Sequence, residues 1–324
     1  ASGYIGSHFL VEIIKRNEDY LAVDNFSRSD PITIDKIQKI TNKKVNFFEG
    51  DIGNEEFLKK IFSNNNIKKV VHFAGFKSIK ESINYPLNYY INNVLNTMTL
   101  INSMENFGIK NIIFSSTATV YGGKLTSPIN EDSKINFPEN SYAQSKYMIE
   151  QVLKKMSDSN YKWNVGILRY FNPIGCHSSG IIGENNNQNS SNLIPALINV
   201  ILKVNPCLEI YGNNYNTRDG TGIRDYLHIE DLVKGHLSAL NYLEQYGGFN
   251  IWNLGSGRGY SVLEILNVFE SEMKYKIPII YKPRRLGDVD EYWADVSKAK
   301  IELSWQAEKN LSSTVRDIIR YIKR

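Results

Sequence analysis

The first half of the chain alternates short β-branched or aromatic runs with stretches of helical periodicity. The runs cover 20–24, 45–48, 69–73, 111–115 and 165–171, and segments such as 7–15 and 55–62 place apolar side chains on one helical face. Strands that alternate with helices build a parallel sheet covered on both faces, and strands buried in this way read as continuous apolar runs. The alternation therefore predicts a doubly wound α/β domain.

The alternation loosens after about residue 172, where Gly, Pro and Asn collect in 173–192 and again in 212–222. A chain of 324 residues is also about twice as long as an average domain. We therefore expect a first domain over 1–171 and a smaller, irregular α/β domain over 172–324, some segments of which pack back on the first. Apolar residues at helical spacing predict a closing helix over 311–322.

Composition argues against several other classes of protein. The chain is 42% hydrophobic and 22% charged, as ordinary globular domains are, and its net charge of +4 is too small to attract a phosphate backbone. Charged or amide residues interrupt every apolar run before it reaches the length of a membrane span, about 18 residues. We expect no nucleic-acid or membrane partner.

Cysteine usage bears on the compartment and on metals. Cys176 and Cys207 are the two cysteines of the chain, and they offer neither a disulfide framework nor the paired spacing of a zinc site. We expect a reducing, cytoplasmic setting and no metal. The chain begins without Met, so its first residues leave open a targeting segment upstream.

A glycine pair near the N-terminus indicates a dinucleotide site. Gly3-Tyr4-Ile5-Gly6 precedes a helix-period segment and supplies two of the three fingerprint glycines, where backbone N–H groups and a helix N-terminus bind a pyrophosphate. Asp24, with Asn25 beside it, ends the next predicted strand about 20 residues later, where a carboxylate binds the adenosine ribose hydroxyls. That carboxylate favours NAD over NADP, although nearby Arg28 keeps NADP open. Ordinary turn glycines and a solvated Asp24 are the alternative.

Two further segments follow predicted strands at the edge where open α/β sheets bind ligands. Asp51-Ile52 follows one strand and Phe73-Ala74-Gly75 ends another, so both are expected to line the cofactor. The alternative is that Asp51 caps a helix beginning near Asn54 and that Ala74-Gly75 is a plain turn.

The most informative stretch combines hydroxyls at a strand end with a tyrosine and a lysine. Ser115-Ser116-Thr117 ends a predicted strand, and Tyr142 and Lys146, four residues apart, share one face of a later helix. An ammonium and the positive ring of an oxidised nicotinamide stabilise phenolate and lower the pKa of a tyrosine from about 10. Tyr142 is the predicted base, and a hydroxyl at this strand end can donate to a substrate oxygen and share the proton as it moves. An exposed surface Tyr/Lys pair is the alternative.

Together these motifs resemble the extended short-chain dehydrogenase/reductase family, and within it the enzymes that epimerise nucleotide sugars. The resemblance extends from the first residue nearly to the last and is carried by the segments 3–8, 51–52, 72–75, 115–122, 142–146, 168–172, 192–195, 219–228, 253–257, 284–288 and 292–295. It implies a Rossmann-like fold, tightly bound NAD, and an isomerase of galactose metabolism that interconverts UDP-galactose and UDP-glucose.

The resemblance also assigns residues to roles. It makes Tyr142 the base, Lys146 its partner and a ligand of the nicotinamide ribose, and Thr117 the helper. The cofactor pocket would be completed by Lys77, Asn92, Ser115 and Tyr170. The nucleotide-sugar contacts would be Thr117, Tyr142, Asn172, Asn192, Leu193, Tyr211, Arg224, Arg285 and Asp288. The two arginines would give charge-assisted bonds to the diphosphate, with a surface ion pair as the alternative for each taken singly.

Tyr292 matches the family position that closes the pocket beside C2 of the sugar. A bulky residue there implies a preference for UDP-glucose and UDP-galactose over N-acetylated sugars. In the implied mechanism Tyr142 takes the proton of the C4 hydroxyl as hydride leaves C4, the 4-keto sugar turns over, and returning hydride inverts C4.

Four other functions stay open. A nucleotide-sugar dehydratase resembles a pattern with an acidic pair after the threonine, whereas Ala118-Thr119 follows Thr117 here. A decarboxylase or uronate epimerase would share the cofactor and the base. A catalytically silent NAD-binding protein would share the scaffold, but intact Thr117, Tyr142 and Lys146 argue against it.

Two expectations concern folding and assembly. The family's first strand and first fingerprint glycine have no counterpart before Gly3, and in the order 3-2-1-4-5-6 that strand is central. We therefore expect an upstream strand in a complete sequence, and poor folding and weak cofactor binding by residues 1–324 alone. The resemblance also implies a homodimer through helices over 88–105 and 142–155, although these faces could equally pack on the sheet.

Overall fold

The computed structural model describes residues 1–123, 125–136, 138–158, 162–184, 192–285 and 287–324. Helices and strands alternate through its first half. The helices are α1 (Tyr4–Lys15), α2 (Ile32–Thr41), α3 (Glu55–Asn64), α4 (Ile79–Asn84), α5 (Pro86–Tyr89), α6 (Asn96–Asn106), α7 (Ser141–Asp158), α8 (Leu193–Ile201), α9 (Ile229–Tyr246), α10 (Val262–Met273), α11 (Ser297–Glu302) and α12 (Leu311–Ile322). A π-helical segment, Tyr90–Leu95, joins α5 to α6, and a 3-10 turn, Ala118–Tyr121, follows the fourth strand.

The five predicted strands are all present, with ends shifted by a few residues. The strands are β1 (Ala22–Asp24), β2 (Phe47–Glu49), β3 (Val70–His72), β4 (Asn111–Thr117), β5 (Asn164–Tyr170), β6 (Asn172–Ile174), β7 (Leu208–Tyr211), β8 (Ile223–His228), β9 (Phe249–Leu254), β10 (Gly259–Ser261), β11 (Ile279–Lys282) and β12 (Glu291–Tyr292). The predicted helices over 7–15, 55–62 and 311–322 correspond to α1, α3 and α12.

Two parallel groups of strands form the first half. One sheet has the order β3-β4-β5-β9, with Thr117 opposite Tyr170 and Leu168 opposite Trp252, so a strand from the second half completes it. β1 and β2 form a separate parallel pair, and within the described residues β1 does not pair with β3. The fold is the expected Rossmann-like α/β architecture.

Both faces of the four-stranded sheet are covered, which explains the apolar strands. On one face, Leu168 and Trp252 pack in a cluster with residues of α1 and α9. On the other face, Ile167 packs in a cluster with residues of α3, α6 and α7. Because alternate side chains of β5 enter opposite clusters, most of the run is apolar, and Arg169 is a buried charged residue within it.

The N-terminus of α3 shows that the alternative role suggested for Asp51, as the cap of this helix, is wrong. Asn54 is the N-cap residue, and its side chain accepts a hydrogen bond from the backbone N–H of Phe57 at 3.0 Å. Asp51 instead accepts from the side chain of Asn25 and from the backbone N–H of Gly53, each at 2.7 Å. Asp51 is therefore not the cap of this helix, because Asn54 stands where the side chain can reach the free N–H groups.

The second half is built around β8. It pairs with β10 antiparallel and with β6 and β12 parallel, while β7 and β11 form a separate parallel pair. α12 buries Val315, Ile318 and Ile319 in a cluster with α8 and α10, on the face that its periodicity predicted. Of the loop predicted at 173–192, residues 185–191 lie outside the described residues.

No helix within the described ranges is both long enough and apolar enough to cross a membrane.

Candidate active site

A cleft of about 490 Å³ lies between the two halves, beyond the carboxyl ends of β3, β4 and β5. Its wall brings together most of the residues that the sequence predicted for cofactor and substrate. These are Tyr4, Ile5, Phe73, Gly75, Lys77, Ser115, Thr117, Tyr142, Lys146, Tyr170, Asn172, Asn192, Leu193, Tyr211, Arg224, Arg285 and Asp288.

Lys146 is a buried cation in this wall. Its side chain lies on α7, and its ammonium donates to the carbonyl oxygen of Ser115 at 2.8 Å and lies 4.8 Å from the ring centre of Phe114. Burial lowers the pKa of Lys146 to about 8, and the charge of Glu150 opposes that shift. Lys146 is thus an ammonium that can lose its proton in the alkaline range.

Tyr142 lies one helical turn before Lys146 on the same face of α7. Burial raises the pKa of Tyr142, and a hydrogen bond from the Thr117 hydroxyl lowers it by a smaller amount. The lowered pKa predicted from the sequence has the positive ring of an oxidised nicotinamide as a cause besides Lys146, whose ammonium donates to the carbonyl oxygen of Ser115. In the chain by itself, burial leaves Tyr142 a weaker acid than free tyrosine.

The Thr117 hydroxyl is held beside this tyrosine at the end of β4. It lies 2.9 Å from the hydroxyl of Thr119 and accepts from the Thr119 backbone N–H at 3.2 Å. Its contacts with Tyr142 and Thr119 place it where a substrate oxygen in the cleft could share a proton with both.

Tyr170 lies at the end of β5, and its hydroxyl is hydrogen-bonded to His236. His236 Nδ1 is 2.9 Å from the carbonyl oxygen of Leu232, so Nδ1 carries the proton and Nε2 accepts from the Tyr170 hydroxyl. Burial raises the pKa of Tyr170, and a hydrogen bond with Ser115 opposes the rise. Tyr170 is thus a fixed neutral wall of the cleft.

Several predicted cofactor residues lie outside the wall. They are Gly3, Gly6, Asp24, Asn25, Asp51, Ile52, Ala74 and Asn92. Asp24, at the end of β1, accepts from the Ser2 backbone N–H at 2.8 Å and from the Ser29 hydroxyl at 3.0 Å. Asn92 donates to the side chain of Asn93 at 2.9 Å, so a neighbouring residue holds it.

Asn93, next to Asn92, is buried, and the sequence analysis did not predict a role for it. Its side chain bonds both the backbone N–H and the carbonyl oxygen of Phe76, at 2.7 and 3.0 Å, and the hydroxyl of Ser145 at 3.1 Å. Asn93 therefore fixes the loop after β3, which includes Gly75, against α7.

Two arginines line the far end of the cleft. Arg224 donates to the carbonyl oxygens of Ile223 and Val289 and to the carboxylate of Asp288, the last at 3.1 Å. The guanidinium of Arg285 lies 4.0 Å from the ring centre of Tyr211. Both cations therefore lie at the same end of the cleft, each oriented by its own contacts.

Tyr292 lies beside the cleft without lining it. It occupies β12, its ring is 5.7 Å from that of Phe171, and its hydroxyl donates to the carbonyl oxygen of Ala118 at 2.7 Å. Phe171 itself lines the cleft. The tyrosine predicted to close the pocket is thus packed behind a phenylalanine of its wall.

Phe171 and Glu184 are wall residues that the sequence reading did not single out. Phe171 stands inside the 168–172 segment, so its position after a strand was an available signal. Glu184 pairs with Lys77 at 2.7 Å across the cleft, and nothing in the local sequence indicates a partner so far along the chain.

One cluster outside the cleft has the composition of a metal site. The ligand atoms of His228, Glu230 and Asp317 lie within 4.8 Å of one another. The ammonium of Lys309 lies 3.0 Å from Glu230 and 3.2 Å from Asp317, and His228 Nδ1 accepts from the Glu230 backbone N–H. The ammonium of Lys309 therefore already forms ion pairs with both carboxylates of this cluster.

Comparison with known proteins places this site in a family. The model of the NAD dependent epimerase/dehydratase family matches residues 1–255. A UDP-glucose 4-epimerase of Pasteurella multocida is 43% identical over 323 residues, which cover 100% of this chain and 96% of the relative. One from Dictyostelium discoideum is 44% identical over 317 residues, covering 98% of this chain and 92% of the relative.

A solved structure agrees with these relatives. The UDP-glucose 4-epimerase of Bifidobacterium longum, in complex with NAD+ and UDP, superposes with a TM-score of 0.94 at 38% identity, covering 99% of this chain and 96% of that one. This chain belongs to the NAD dependent epimerase/dehydratase family. The three proteins described above, which this chain matches over nearly its whole length, are named UDP-glucose 4-epimerases.

Proposed function

We propose that this chain is a UDP-glucose 4-epimerase, an isomerase that interconverts UDP-galactose and UDP-glucose with bound NAD. One observation carries the proposal: Tyr142, Thr117 and Lys146 share one cleft with Arg224 and Arg285. The first three residues can move and hold a proton, and the two arginines suit a diphosphate. The full-length relatives named for this activity support the same conclusion.

The residues around Lys146 fit a nicotinamide cofactor. A Cβ atom at position 75 would lie 3.3 Å from both Lys146 Nζ and Asn93 Oδ1, so glycine keeps this wall open beside the ammonium. The ammonium has three donors, and Ser115 accepts from one of them. A ribose hydroxyl is a suitable acceptor for another.

We assign the cofactor to the half over 1–171. Lys146, Lys77, Ser115 and Tyr170 would surround the nicotinamide end. The pyrophosphate and adenosine end would be bound near 3–6, by Asp24 and Asn25, and by the segments 51–52 and 73–75, with Asn92 nearby. NAD, when bound, would supply the reversible hydride transfer at C4, and its oxidised ring would add a positive charge that favours the Tyr142 phenolate.

The chain's own residues supply the proton transfer. Tyr142 takes the proton of the C4 hydroxyl and later returns it to the C4 oxygen, when hydride returns to the opposite face of C4. Thr117 holds the C4 oxygen and donates to the phenolate as the proton moves. Because burial alone raises the pKa of Tyr142, its basicity at working pH depends on positive charge nearby.

We assign the nucleotide sugar to the half over 172–324. Arg224 and Arg285 would bind the diphosphate, and Asp288 would orient Arg224. The uridine and sugar would contact Asn172, Asn192, Leu193 and Tyr211, which line the same cleft. With UDP fixed, the 4-keto sugar can rotate about its phosphate linkage and present its other face.

A second copy of the chain is the proposed partner. Ile83, Leu87, Ile91 and Leu95, on α4, α5 and the π-helical segment, are 64%, 66%, 47% and 58% exposed, and Met148 on the neighbouring α7 is 47% exposed. A row of large exposed apolar side chains on packed helices is typical of a protein interface. We propose a cytoplasmic homodimer that uses these helices.

The test is conversion of UDP-galactose, followed by NMR of the anomeric protons without and then with added NAD. We expect UDP-glucose to appear, and conversion without added NAD would mean that the cofactor is retained. A 4-keto-6-deoxy sugar would indicate a dehydratase instead. No product in the presence of NAD would contradict the proposed function.

A further inference from the structure

We propose that Glu150 and Arg169, which pair with each other while the hydroxyl of Ser116 donates to Glu150, are positioning residues that set the register of α7 against β4 and β5 and thereby align Tyr142 and Lys146 with Thr117. The proposal rests on the proposed function for its kinetic consequences. Its structural part concerns the chain alone.

The three residues form one buried network that connects three elements. Glu150 on α7 accepts from Arg169 Nη2 at 2.6 Å and from Arg169 Nε at 3.1 Å, and the hydroxyl of Ser116 donates to the same carboxylate. The side chains of Arg169 and Glu150 are 3% and 1% exposed. A planar guanidinium that binds a carboxylate through two nitrogens fixes both distance and orientation.

Each member of the network is adjacent to residues of the candidate site. Ser116 stands between Ser115 and Thr117 on β4, and Arg169 precedes Tyr170 on β5. Glu150 lies one turn after Lys146 on α7, which is the same face as Tyr142. A shift of α7 along the sheet would therefore break the ion pair and separate Tyr142 from Thr117 together.

The network also extends toward the other side of the site. The guanidinium of Arg169 lies 4.6 Å from the ring centre of Tyr121, in the 3-10 turn that continues from Thr117. The Tyr121 hydroxyl donates to the side chain of Asn253 on β9 at 2.7 Å. Arg169 thus packs against the turn that follows Thr117.

The chemistry of the pair favours a geometric role over simple stabilisation. Removing two charges from water costs several kcal/mol per ion, and apolar residues of similar volume often replace a buried pair without loss of stability. An apolar pair at these positions would fill space without fixing an orientation. Two nitrogens and a hydroxyl on one carboxylate specify one register of the helix.

The negative charge of Glu150 has a second effect on the site. It raises the pKa of Lys146 against the burial that lowers it to about 8. The charged or titratable groups that interact with Lys146 are Glu150 on α7 and His72 on β3, and Glu150 is itself paired with Arg169 on β5. Glu150 is the carboxylate among these groups. Because its negative charge stabilises the Lys146 ammonium, replacing it should lower the pKa of Lys146.

The experiment compares Glu150→Gln with the natural protein and with Glu302→Gln. Glu302 also accepts a hydrogen bond, from Trp252 Nε1 at 2.7 Å, but lies on α11 away from the cleft. We measure kcat and KM for UDP-galactose across pH, and the titration of Lys146 by NMR of ¹³C-labelled lysine. The NMR titration does not depend on turnover.

For Glu150→Gln we expect kcat to fall about 10- to 100-fold with KM nearly unchanged, because the arginines of the cleft are untouched. The alkaline limb of kcat and the Lys146 titration should both move to lower pH by about one unit. Glu302→Gln should match the natural protein in all of these. Unchanged kcat and an unchanged Lys146 titration in Glu150→Gln would overturn the proposal.

Smaller changes keep the test decisive if Glu150→Gln does not fold. Ser116→Ala removes one hydroxyl, and Arg169→Lys keeps the charge but loses the two-nitrogen geometry. Loss of kcat at constant KM in both supports the proposal, with Arg169→Lys retaining more activity than Arg169→Met. Natural kcat in both overturns it. If the natural protein does not convert UDP-galactose, the proposed function fails, and the Lys146 titration in Glu150→Gln still tests the effect of Glu150 on the site.

Discussion

The hydroxyl of Tyr292 donates to the carbonyl oxygen of Ala118 at 2.7 Å, which ties β12 to the residue that follows Thr117. The Tyr292 ring also packs on Phe171 in the wall of the cleft. A side chain near the end of the chain therefore supports the wall of the candidate active site from behind. Its bulk limits how far Phe171 can retreat from a bound sugar.

Replacing Tyr292 with a small residue should widen the sugar pocket. In Tyr292→Ser the ring is lost, so Phe171 can move back and admit an N-acetyl group at C2. We expect the ratio of kcat/KM for UDP-N-acetylgalactosamine to that for UDP-galactose to rise about tenfold or more, since one pocket contact changes discrimination by about 1–3 kcal/mol. Both values come from NMR progress curves.

Tyr292→Phe is the control for this substitution. It keeps the ring and loses the hydrogen bond to Ala118, so its substrate ratio should stay near that of the natural protein. An equal rise in both variants would mean that the hydrogen bond, and not the bulk, sets the preference. A natural protein that epimerises both sugars equally well would refute the role of Tyr292.

Loss of the Tyr142 hydroxyl should abolish most of the turnover. Tyr142→Phe keeps the ring packing but removes the proton acceptor, and general bases contribute about 10²- to 10⁴-fold to rate. We expect kcat to fall by that factor while NAD still binds, as measured by fluorescence titration. Tyr147→Phe, on the same helix but outside the cleft, should retain natural kcat. Natural turnover in Tyr142→Phe would remove it as the base.

The two neighbouring arginines should behave differently on substitution. Arg285 lines the cleft, whereas Arg284 stacks on Tyr215 at 3.9 Å and bonds Asn214. Because a hydrogen bond to a charged group contributes about 1.5–3 kcal/mol, Arg285→Met should raise the KM for UDP-galactose about 10- to 100-fold with a smaller change in kcat. Arg284→Met should change KM little. Equal effects of the two would show that Arg285 has no special contact with the diphosphate.

Local sequence predicted elements well because the signal for a covered parallel strand is itself local. The runs at 111–115 and 165–171 became β4 and β5, and the Tyr142 and Lys146 pair shares a helix face as its spacing indicated. The cap of α3 shows the limit of such reasoning, since the sequence suggested Asp51 as the cap and the structure has Asn54 in that place.

Contacts between distant segments could not be predicted in this way. Nothing within 249–254 tells that β9 completes the first sheet beside β5, because strand pairing depends on both partners. The bond between Ser116 and Glu150 joins residues whose spacing follows no helical or strand period. The hydrogen bond from Lys146 to the carbonyl oxygen of Ser115 was likewise not predicted, because it joins α7 to another element.

Acid should destabilise the fold through its histidines. The chain has five, and burial lowers the pKa of all of them, to about 3 for His8 and His72 and to about 4 for His236. In the unfolded chain they bind protons below about 6.5, so the unfolded state binds more protons than the folded state between about pH 6.5 and 4. Their contribution to stability is therefore present above pH 6.5 and is lost as the pH falls.

Urea unfolding at pH 8 and at pH 5 measures this loss, and one histidine can be tested alone. We expect each deeply buried histidine to remove up to about 2 kcal/mol from the free energy of unfolding at pH 5. His72 lies 2.8 Å from the hydroxyl of Thr97, and His72→Gln preserves a donor there without a titrating ring. The variant should lose less stability between the two pH values than the natural protein does. An equal loss would mean that His72 does not remain neutral in the folded state, because only a proton taken up on unfolding couples the residue to pH.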